Sequence, residues 1–158
     1  MNELNIRKAT ENDIDGLIKL LYEVQKINSN ARPDLFISGA RKYNDEELKE
    51  ILKDVTKPIF VAEINNTIAG YAFCIISTPK CLTLQPIKNL YIDDLCVDEN
   101  CRGNHIGKKL YEYVLDFAKT INCYNVTLNV WADNKNALKF YENIGLKVQK
   151  ICMEKILK

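Results

Sequence analysis

The chain has 158 residues, of which 47% are hydrophobic and 27% are charged. These proportions are typical of a folded globular domain and exclude a disordered, collagen-like or coiled-coil chain. Twenty-two basic residues balance 21 acidic ones, so the bulk charge predicts neither a nucleic-acid nor a membrane partner. Every apolar run is far shorter than the roughly 20 residues of a membrane helix. No signal-like stretch opens the chain, and we expect a cytoplasmic protein.

The first part of the chain combines one strand with two amphipathic helices. Leu4–Ala9 alternates like a strand, and Thr10–Asp13 resembles a capping box before a helix that ends near Asn28. Asn44 is the candidate N-cap of a second, shorter helix. The predicted inward-facing residues of the two helices are Ile14, Leu17, Ile18, Leu21 and Val24, then Leu48, Ile51 and Leu52.

Three strands are predicted next. The runs 58–64 and 67–77 are rich in β-forming residues. Asn65 and Asn66 separate them, and both tolerate the positive φ of a two-residue turn, which predicts a hairpin. Asn89–Val97 is the following strand.

The second part continues the alternation. Apolar residues at helical spacing predict a helix over 106–117, followed by a strand over 125–131. A further helix over 134–144 should end at Gly145, and 148–156 reads as a last strand. The predicted order is β-α-α-β-β-β-α-β-α-β.

A basic, glycine-containing loop precedes the helix that begins at residue 106. A helix start offers about four unpaired N–H groups and a partial positive charge, which suits an anion. Arg102, Lys108 and Lys109 add local positive charge. The spacing of Gly103 and Gly107 fits neither the Walker A loop nor the dinucleotide fingerprint. The segment indicates an anion site, with a solvated basic helix start as the alternative.

Two motifs resemble the GNAT superfamily of N-acetyltransferases. The pattern Arg/Gln-x-x-Gly-x-Gly/Ala, after a strand ending in an aliphatic-x-Val triplet, is similar to that superfamily's acetyl-CoA loop. Residues 129–146 are similar to its Asn-x-x-Ala-x-x-x-Tyr-x-x-x-Gly-Phe/Leu segment. The resemblance runs from Ile6 to about Glu154. It implies a single α/β (α+β) domain over residues 1–158, whose mixed, mostly antiparallel sheet has six or seven strands flanked by about four helices.

The resemblance also implies acetyl-CoA as cosubstrate and no metal. Backbone groups of Leu95, Cys96 and Val97 would hold the pantetheine arm, and Asn134 would cap the last helix and contact the cofactor. His105 stands where the family pattern has glycine, and a positive φ there would cost about 1 kcal/mol. Its imidazole facing a phosphate is the functional alternative to its facing solvent. The residues implied to hold the pyrophosphate are Arg102, Gly103, Asn104, His105, Ile106, Gly107 and Lys108.

Tyr141 matches the general acid of the family, which would protonate the departing thiolate. An amine with a pKa of about 10.4 is protonated at neutral pH, so the reaction also needs a proton acceptor. The run from Asp93 to Val97 is similar to the Glu-Asp-Phe-Phe-Val run of diamine and polyamine acetyltransferases. Adjacent strand residues point to opposite faces, so only one of Asp93 and Asp94 should face the amine, and Asp93 is preferred. The alternative is that both aspartates make structural hydrogen bonds.

The implied reaction is direct acetyl transfer from acetyl-CoA to a primary amine of a small molecule through a ternary complex. A protein N-terminus or lysine as acceptor, and a non-catalytic acyl-CoA sensor, are the alternatives. Covalent catalysis by Cys96 or Cys101 is disfavoured because a nucleophilic cysteine needs a nearby base. The acceptor is expected beside the first two helices and the 31–43 loop. A homodimer is compatible with the family.

Overall fold

The structure is a computed structural model that describes residues 3–158. Its strands and helices follow the predicted order as far as the last helix. The strands are β1 Leu4–Lys8, β2 Ile59–Ile64, β3 Thr67–Ser77, β4 Asn89–Val97 and β5 Asn125–Leu128. The helices are α1 Ile14–Ala31, α2 Asp45–Lys53, α3 Ile106–Thr120 and α4 Lys135–Asn143.

The chain divides into two compact units, one ending at Leu128 and the other running from Asn129 to Lys158. The first unit contains one sheet in the order β1-β2-β3-β4-β5. Neighbouring strands from β1 to β4 are antiparallel, whereas β4 and β5 are parallel. The second unit contains α4. The predicted mixed, mostly antiparallel sheet is therefore confirmed.

The predicted number of strands is wrong. Among residues 3–158 the sheet has five strands rather than six or seven. The segment 148–156, predicted as a strand, forms none, and its Val148 and Ile151 are exposed. The strand predicted over 125–131 stops at Leu128. An alternating pattern shows which side chains would share a face, but a strand forms only where a neighbouring strand completes its backbone hydrogen bonds.

Helices α1 and α2 pack on a core made from one face of the sheet. The α2 cap is the predicted one, because the Glu47 N–H donates to the Asn44 side chain at 2.8 Å. Thr10 caps a short 3-10 turn that leads into α1, and α1 continues to Ala31 rather than ending near Asn28. The buried residues of this core are Ile14, Leu17, Leu20, Leu21, Leu48, Ile59, Val61, Ile68, Tyr71, Phe73 and Cys96.

Helix α3 packs against the sheet close to β3. A Cβ at Gly70 of β3 would lie 2.8 Å from the Cys96 carbonyl oxygen and 3.1 Å from the Leu110 side chain. Glycine at residue 70 therefore lets β3, β4 and α3 approach one another. The hairpin between β2 and β3 is confirmed, because Asn65 and Asn66 have φ angles of 51° and 61°.

An ion-pair network ties β1 to the start of α1. The Arg7 guanidinium donates two bonds to the Asp13 carboxylate, at 2.7 and 2.9 Å, and a third to Glu63 at 2.9 Å. Asp13 is buried, and its bonds from Arg7 hold the pKa of that carboxyl below its usual range. The network therefore stabilises the fold in the pH range where Asp13 is ionised.

Replacing Arg7 by Met should lower the free energy of unfolding by about 3 kcal/mol at pH 7, because it leaves a buried carboxylate without its counterion. Since the pKa of Asp13 is lowered by folding, this contribution is present above the ordinary aspartate pKa and disappears as the pH falls through the folded value. Urea unfolding at several pH values measures both effects. Lys53→Met, which removes an exposed pair with Glu50, is the control. Equal losses in the two variants would contradict the interpretation.

Candidate active site

A β-bulge lies at Asp93 in the middle of β4. Phe73 of β3 stands opposite Asp94, and the next residue, Cys74, stands opposite Ile92. Asp93 is consequently the extra residue of the bulge. Bulges bend a strand and redirect a side chain, and they are frequent beside active sites.

The Asp93 carboxylate holds a primary ammonium group. Its Oδ2 accepts a hydrogen bond from Lys42 Nζ at 2.7 Å and another from the Tyr43 hydroxyl at 2.8 Å. Both partners lie in the loop between α1 and α2. The side chain of Asp93 is 14% exposed and that of Lys42 is 45% exposed, so solvent reaches the pair from the lysine side.

The neighbouring carboxylate bonds to a different tyrosine. Asp94 accepts a 2.6 Å hydrogen bond from the hydroxyl of Tyr71, a fully buried residue. Burial raises the pKa of Asp94, and the bond from Tyr71 and the charge of Lys42 oppose that rise only in part. Burial and the Asp94 charge likewise raise the pKa of Tyr71.

Both carboxylates reach one aromatic cluster, formed by Tyr43, Phe73 and Tyr71. Phe73 stacks on Tyr43 at 5.4 Å between ring centroids and meets the edge of Tyr71 at 4.8 Å. Asp93 bonds to the first tyrosine and Asp94 to the last. Both aspartates therefore contact this cluster although they are adjacent in sequence, because the bulge interrupts the alternation of side chains along β4. That only one of them faces the acceptor amine stays a prediction.

Within the described part of the chain, the last residues of β4 have no paired strand on the side of β5. The pairing of β4 with β5 stops at Ile92, whereas β4 continues to Val97 alongside β3. The Asp98 N–H donates to the Ala69 carbonyl at 2.7 Å, and backbone directions alternate along an antiparallel ladder. Leu95 and Val97 accordingly direct their backbone groups away from β3. These are the backbone groups that the family resemblance expects to hold the pantetheine arm.

The loop after β4 is anchored at its first residue. Asp98 is buried, accepts from the Asn100 N–H at 2.9 Å and pairs with Lys19 at 3.0 Å. These contacts lower the pKa of Asp98 and keep it ionised. Farther along the loop, the Asn104 side chain donates to the Cys101 carbonyl at 3.1 Å.

The start of α3 is the predicted anion site. His105 is its N-cap residue and provides no side-chain cap, and the first turn contains no acidic residue. Arg102 and Lys108 are exposed, while the Ile106 side chain is buried and anchors the helix. Amide groups and cations of this kind would hold the pyrophosphate of acetyl-CoA. Gly107 follows in the same turn.

His105 adopts the left-handed backbone conformation, with φ at 58°. Replacing His105 by Gly should raise the free energy of unfolding by about 1 kcal/mol, because glycine adopts this conformation without the Cβ penalty. It should also lower the Kd for CoA, since a phosphate can approach the amide more closely. Thermal unfolding and calorimetric titration with CoA measure the two effects.

His105→Ala is the matched control, because it removes the imidazole and retains the Cβ. CoA binding weakened equally in both variants would contradict the backbone explanation and would assign the imidazole to the phosphate.

The second unit contains the other two predicted site residues. Asn134 caps α4, since its side-chain oxygen accepts from the Ala137 N–H at 3.1 Å. Tyr141 is partly buried on α4 and lies edge to face with Phe140 at 5.3 Å. Gly145, with φ at 107°, follows the helix end as predicted. Asn134 is therefore confirmed as a helix cap.

The described cysteines are unpaired thiols, two of them close to the site. Burial raises the pKa of Cys74 to about 12 and also raises the pKa of Cys96, so both remain protonated and poorly nucleophilic. Within residues 3–158, no group of three or more His, Cys, Asp or Glu side chains is arranged to hold a metal ion. Over the same residues, no helix combines the length and apolarity needed to span a membrane.

The partners of the two aspartates are the residues that the sequence did not single out. Lys42, Tyr43 and Tyr71 are 51, 50 and 23 residues from the carboxylates they contact. Lys42 and Tyr43 come from the region expected to meet the acceptor. Other charged residues of that region pair locally, Arg32 with Asp34 and Arg41 with Asp45.

Comparison with known proteins supports this description. Residues 21–146 match the acetyltransferase (GNAT) family. A glucosamine 6-phosphate N-acetyltransferase of Arabidopsis thaliana is 38% identical over 65 residues, which span 41% of this chain and less than half, 42%, of that enzyme. A thialysine N-epsilon-acetyltransferase of Bos taurus is 26% identical over 151 residues, covering 89% of this chain and 82% of that enzyme.

The structural likeness extends over nearly the whole chain. A crystal structure of a Bacillus halodurans protein, solved as a tetramutant, superposes with a TM-score of 0.91 at 29% identity and covers 97% of this chain and 99% of its own. The resemblance seen in the two sequence motifs is thereby confirmed. The chain belongs to the acetyltransferase (GNAT) family and carries the N-acetyltransferase domain of that family, in which acetyl-CoA is the acetyl donor.

Proposed function

We propose that this chain transfers the acetyl group of acetyl-CoA directly to the primary amine of a small molecule, within a ternary complex and a single domain over residues 1–158. The observation that carries the proposal is the Asp93 carboxylate, which already holds a primary ammonium at 2.7 Å. Asp93 lies two residues before the strand edge suited to the pantetheine arm. Cytoplasmic location and homodimer formation remain expectations from the sequence.

In the proposed mechanism, the β4 edge from Leu95 to Val97, including Cys96, positions the thioester, and the loop 102–108 holds the pyrophosphate. Asp93 binds the acceptor ammonium and accepts its proton, which creates the neutral amine needed for attack on the carbonyl carbon. Tyr141 protonates the departing thiolate. Asn134 caps the helix that carries this tyrosine and contacts the cofactor.

Asp94 has a supporting role in this proposal. We assign it a place behind Asp93 rather than at the acceptor, and its raised pKa and its bond from Tyr71 support this assignment. Its carboxylate strengthens the negative field that favours a cationic amine near β4.

A small-molecule acceptor is favoured over a protein acceptor by the names of the relatives, which specify glucosamine 6-phosphate and thialysine. The two compounds share an amine but differ in charge, because one carries a phosphate and the other is an amino acid. We therefore expect the acceptor of this chain to be a phosphorylated amino sugar, an amino acid or a polyamine.

The test is a panel of amines incubated with the protein and acetyl-CoA while thiol release is recorded. It contains glucosamine 6-phosphate, thialysine, polyamines, other amino acids and lysine-containing peptides. Amine-dependent thiol release with a small molecule supports the proposal. Release only with peptides would show that the acceptor is a protein or peptide instead. CoA binding without release on any acceptor would overturn the catalytic proposal and indicate an acyl-CoA sensor.

A further inference from the structure

The chain presents one of its own primary amines to the proposed base. Lys42 Nζ lies 2.7 Å from Asp93 Oδ2 and 5.5 Å from the centre of the Tyr43 ring. A lysine ammonium and the ammonium of a small-molecule acceptor are the same functional group. A carboxylate placed to accept a proton from one is placed to accept it from the other.

Lys42 is also exposed and long enough to reach beyond Asp93. Its side chain is 45% exposed, belongs to the loop between α1 and α2, and has four methylene groups between backbone and nitrogen. Asp93 and Leu95 are two residues apart along β4, which separates their Cα atoms by roughly 7 Å. Rotation of the lysine side chain can span part of that distance toward the proposed thioester position.

We propose that Lys42 is a self-acetylation site of this chain, used when no external amine fills the acceptor position. The proposal rests on the proposed function, because it uses the same donor and the same base. Lys42 would also occupy the acceptor position until a substrate amine replaces it.

The reaction balances as an ordinary aminolysis. Asp93 takes one proton from the Lys42 ammonium, the neutral nitrogen forms a bond with the acetyl carbonyl carbon, and the carbon–sulfur bond breaks with its electron pair remaining on sulfur. The nitrogen loses a second proton as the amide forms. One of the two protons ends on the sulfur of CoA, which gives the thiol, and the other is released to solvent.

Acetylation would change the site as well as the residue. The product amide carries no charge, so the ion pair between residue 42 and Asp93 ends. Asp93 then becomes available to an acceptor ammonium without competition from Lys42. Modification is therefore expected to lower the KM of a cationic acceptor.

The experiment incubates the full chain with acetyl-CoA and no amine, and peptide mass spectrometry follows the acetylation of each lysine with time. Lys19 is the matched reference, because it is also exposed and paired at 3.0 Å with an aspartate, Asp98, away from the bulge. We expect Lys42 to be acetylated at least about tenfold faster than Lys19, since only Lys42 is paired with the proposed base. Urea-unfolded chain should lose this difference.

Two variants make the result specific. Lys42→Arg keeps the positive charge and should abolish the fast modification, while Lys53→Arg, at an exposed pair with Glu50 on α2, should leave it unchanged. Equal rates at Lys42 and Lys19 in the folded chain would overturn self-acetylation and indicate chemical acetylation. The amine panel separates the two proposals: thiol release on an external amine with Lys42 unmodified overturns only the self-acetylation, whereas neither reaction occurring overturns both.

Discussion

Replacing Asp93 by Asn is expected to lower kcat/KM for the acceptor amine by about 100-fold or more, the usual contribution of a positioned general base. Asn retains the size of the side chain but has no negative charge to pair with an ammonium and cannot accept its proton. Thiol release measured at several acceptor concentrations gives kcat and KM separately. CoA affinity should be nearly unchanged, because the pyrophosphate loop is untouched.

Asp94→Asn is the matched comparison on the adjacent residue. Its amide oxygen can still accept the bond from the Tyr71 hydroxyl. We expect a smaller loss of kcat/KM than for Asp93→Asn, because Asp94 does not contact the ammonium. A larger loss in Asp94→Asn than in Asp93→Asn would transfer the base role to Asp94.

The pH dependence of the free energy of unfolding gives an independent test of the state of Asp94. Folding raises the pKa of Asp94, so its contribution to stability is present below the ordinary aspartate pKa and is lost as the pH rises through the folded value. At neutral pH Asp94→Asn should therefore be more stable than the native chain, with the difference vanishing in acid. Urea unfolding at several pH values checks the sign.

Replacing Tyr141 by Phe is expected to lower kcat by about 100-fold while CoA binding changes little, because only the proposed proton donor is lost. The ring contact with Phe140 remains, which preserves the packing of α4. Thiol release at saturating substrate measures kcat, and calorimetric titration with CoA measures the affinity for CoA.

Tyr124→Phe is the control for loss of a phenol at an exposed position, since Tyr124 is 70% exposed. An unchanged kcat in Tyr141→Phe would remove Tyr141 from the acid role. A parallel loss of CoA binding would instead assign it to cofactor binding.

The local elements were predictable because their signals are local. The Asn65–Asn66 turn, the Asn44 and Asn134 caps and the buried faces of α1 and α2 all follow from residue preferences within a few positions. The strand predicted over 148–156 does not form, because a strand depends on a distant partner. Periodicity within a segment contains no information on whether such a partner is available.

The same distinction applies to the candidate site. The sequence by itself determined the family, a candidate phosphate-binding loop and the pair of acidic residues on β4, because motif spacing along one segment is enough to locate them. Only the tertiary structure showed that a bulge brings Asp93 and Asp94 to one aromatic cluster and that Lys42, Tyr43 and Tyr71 bond to them. An extra residue in a ladder reverses side-chain alternation, and its position depends on the pairing with β3.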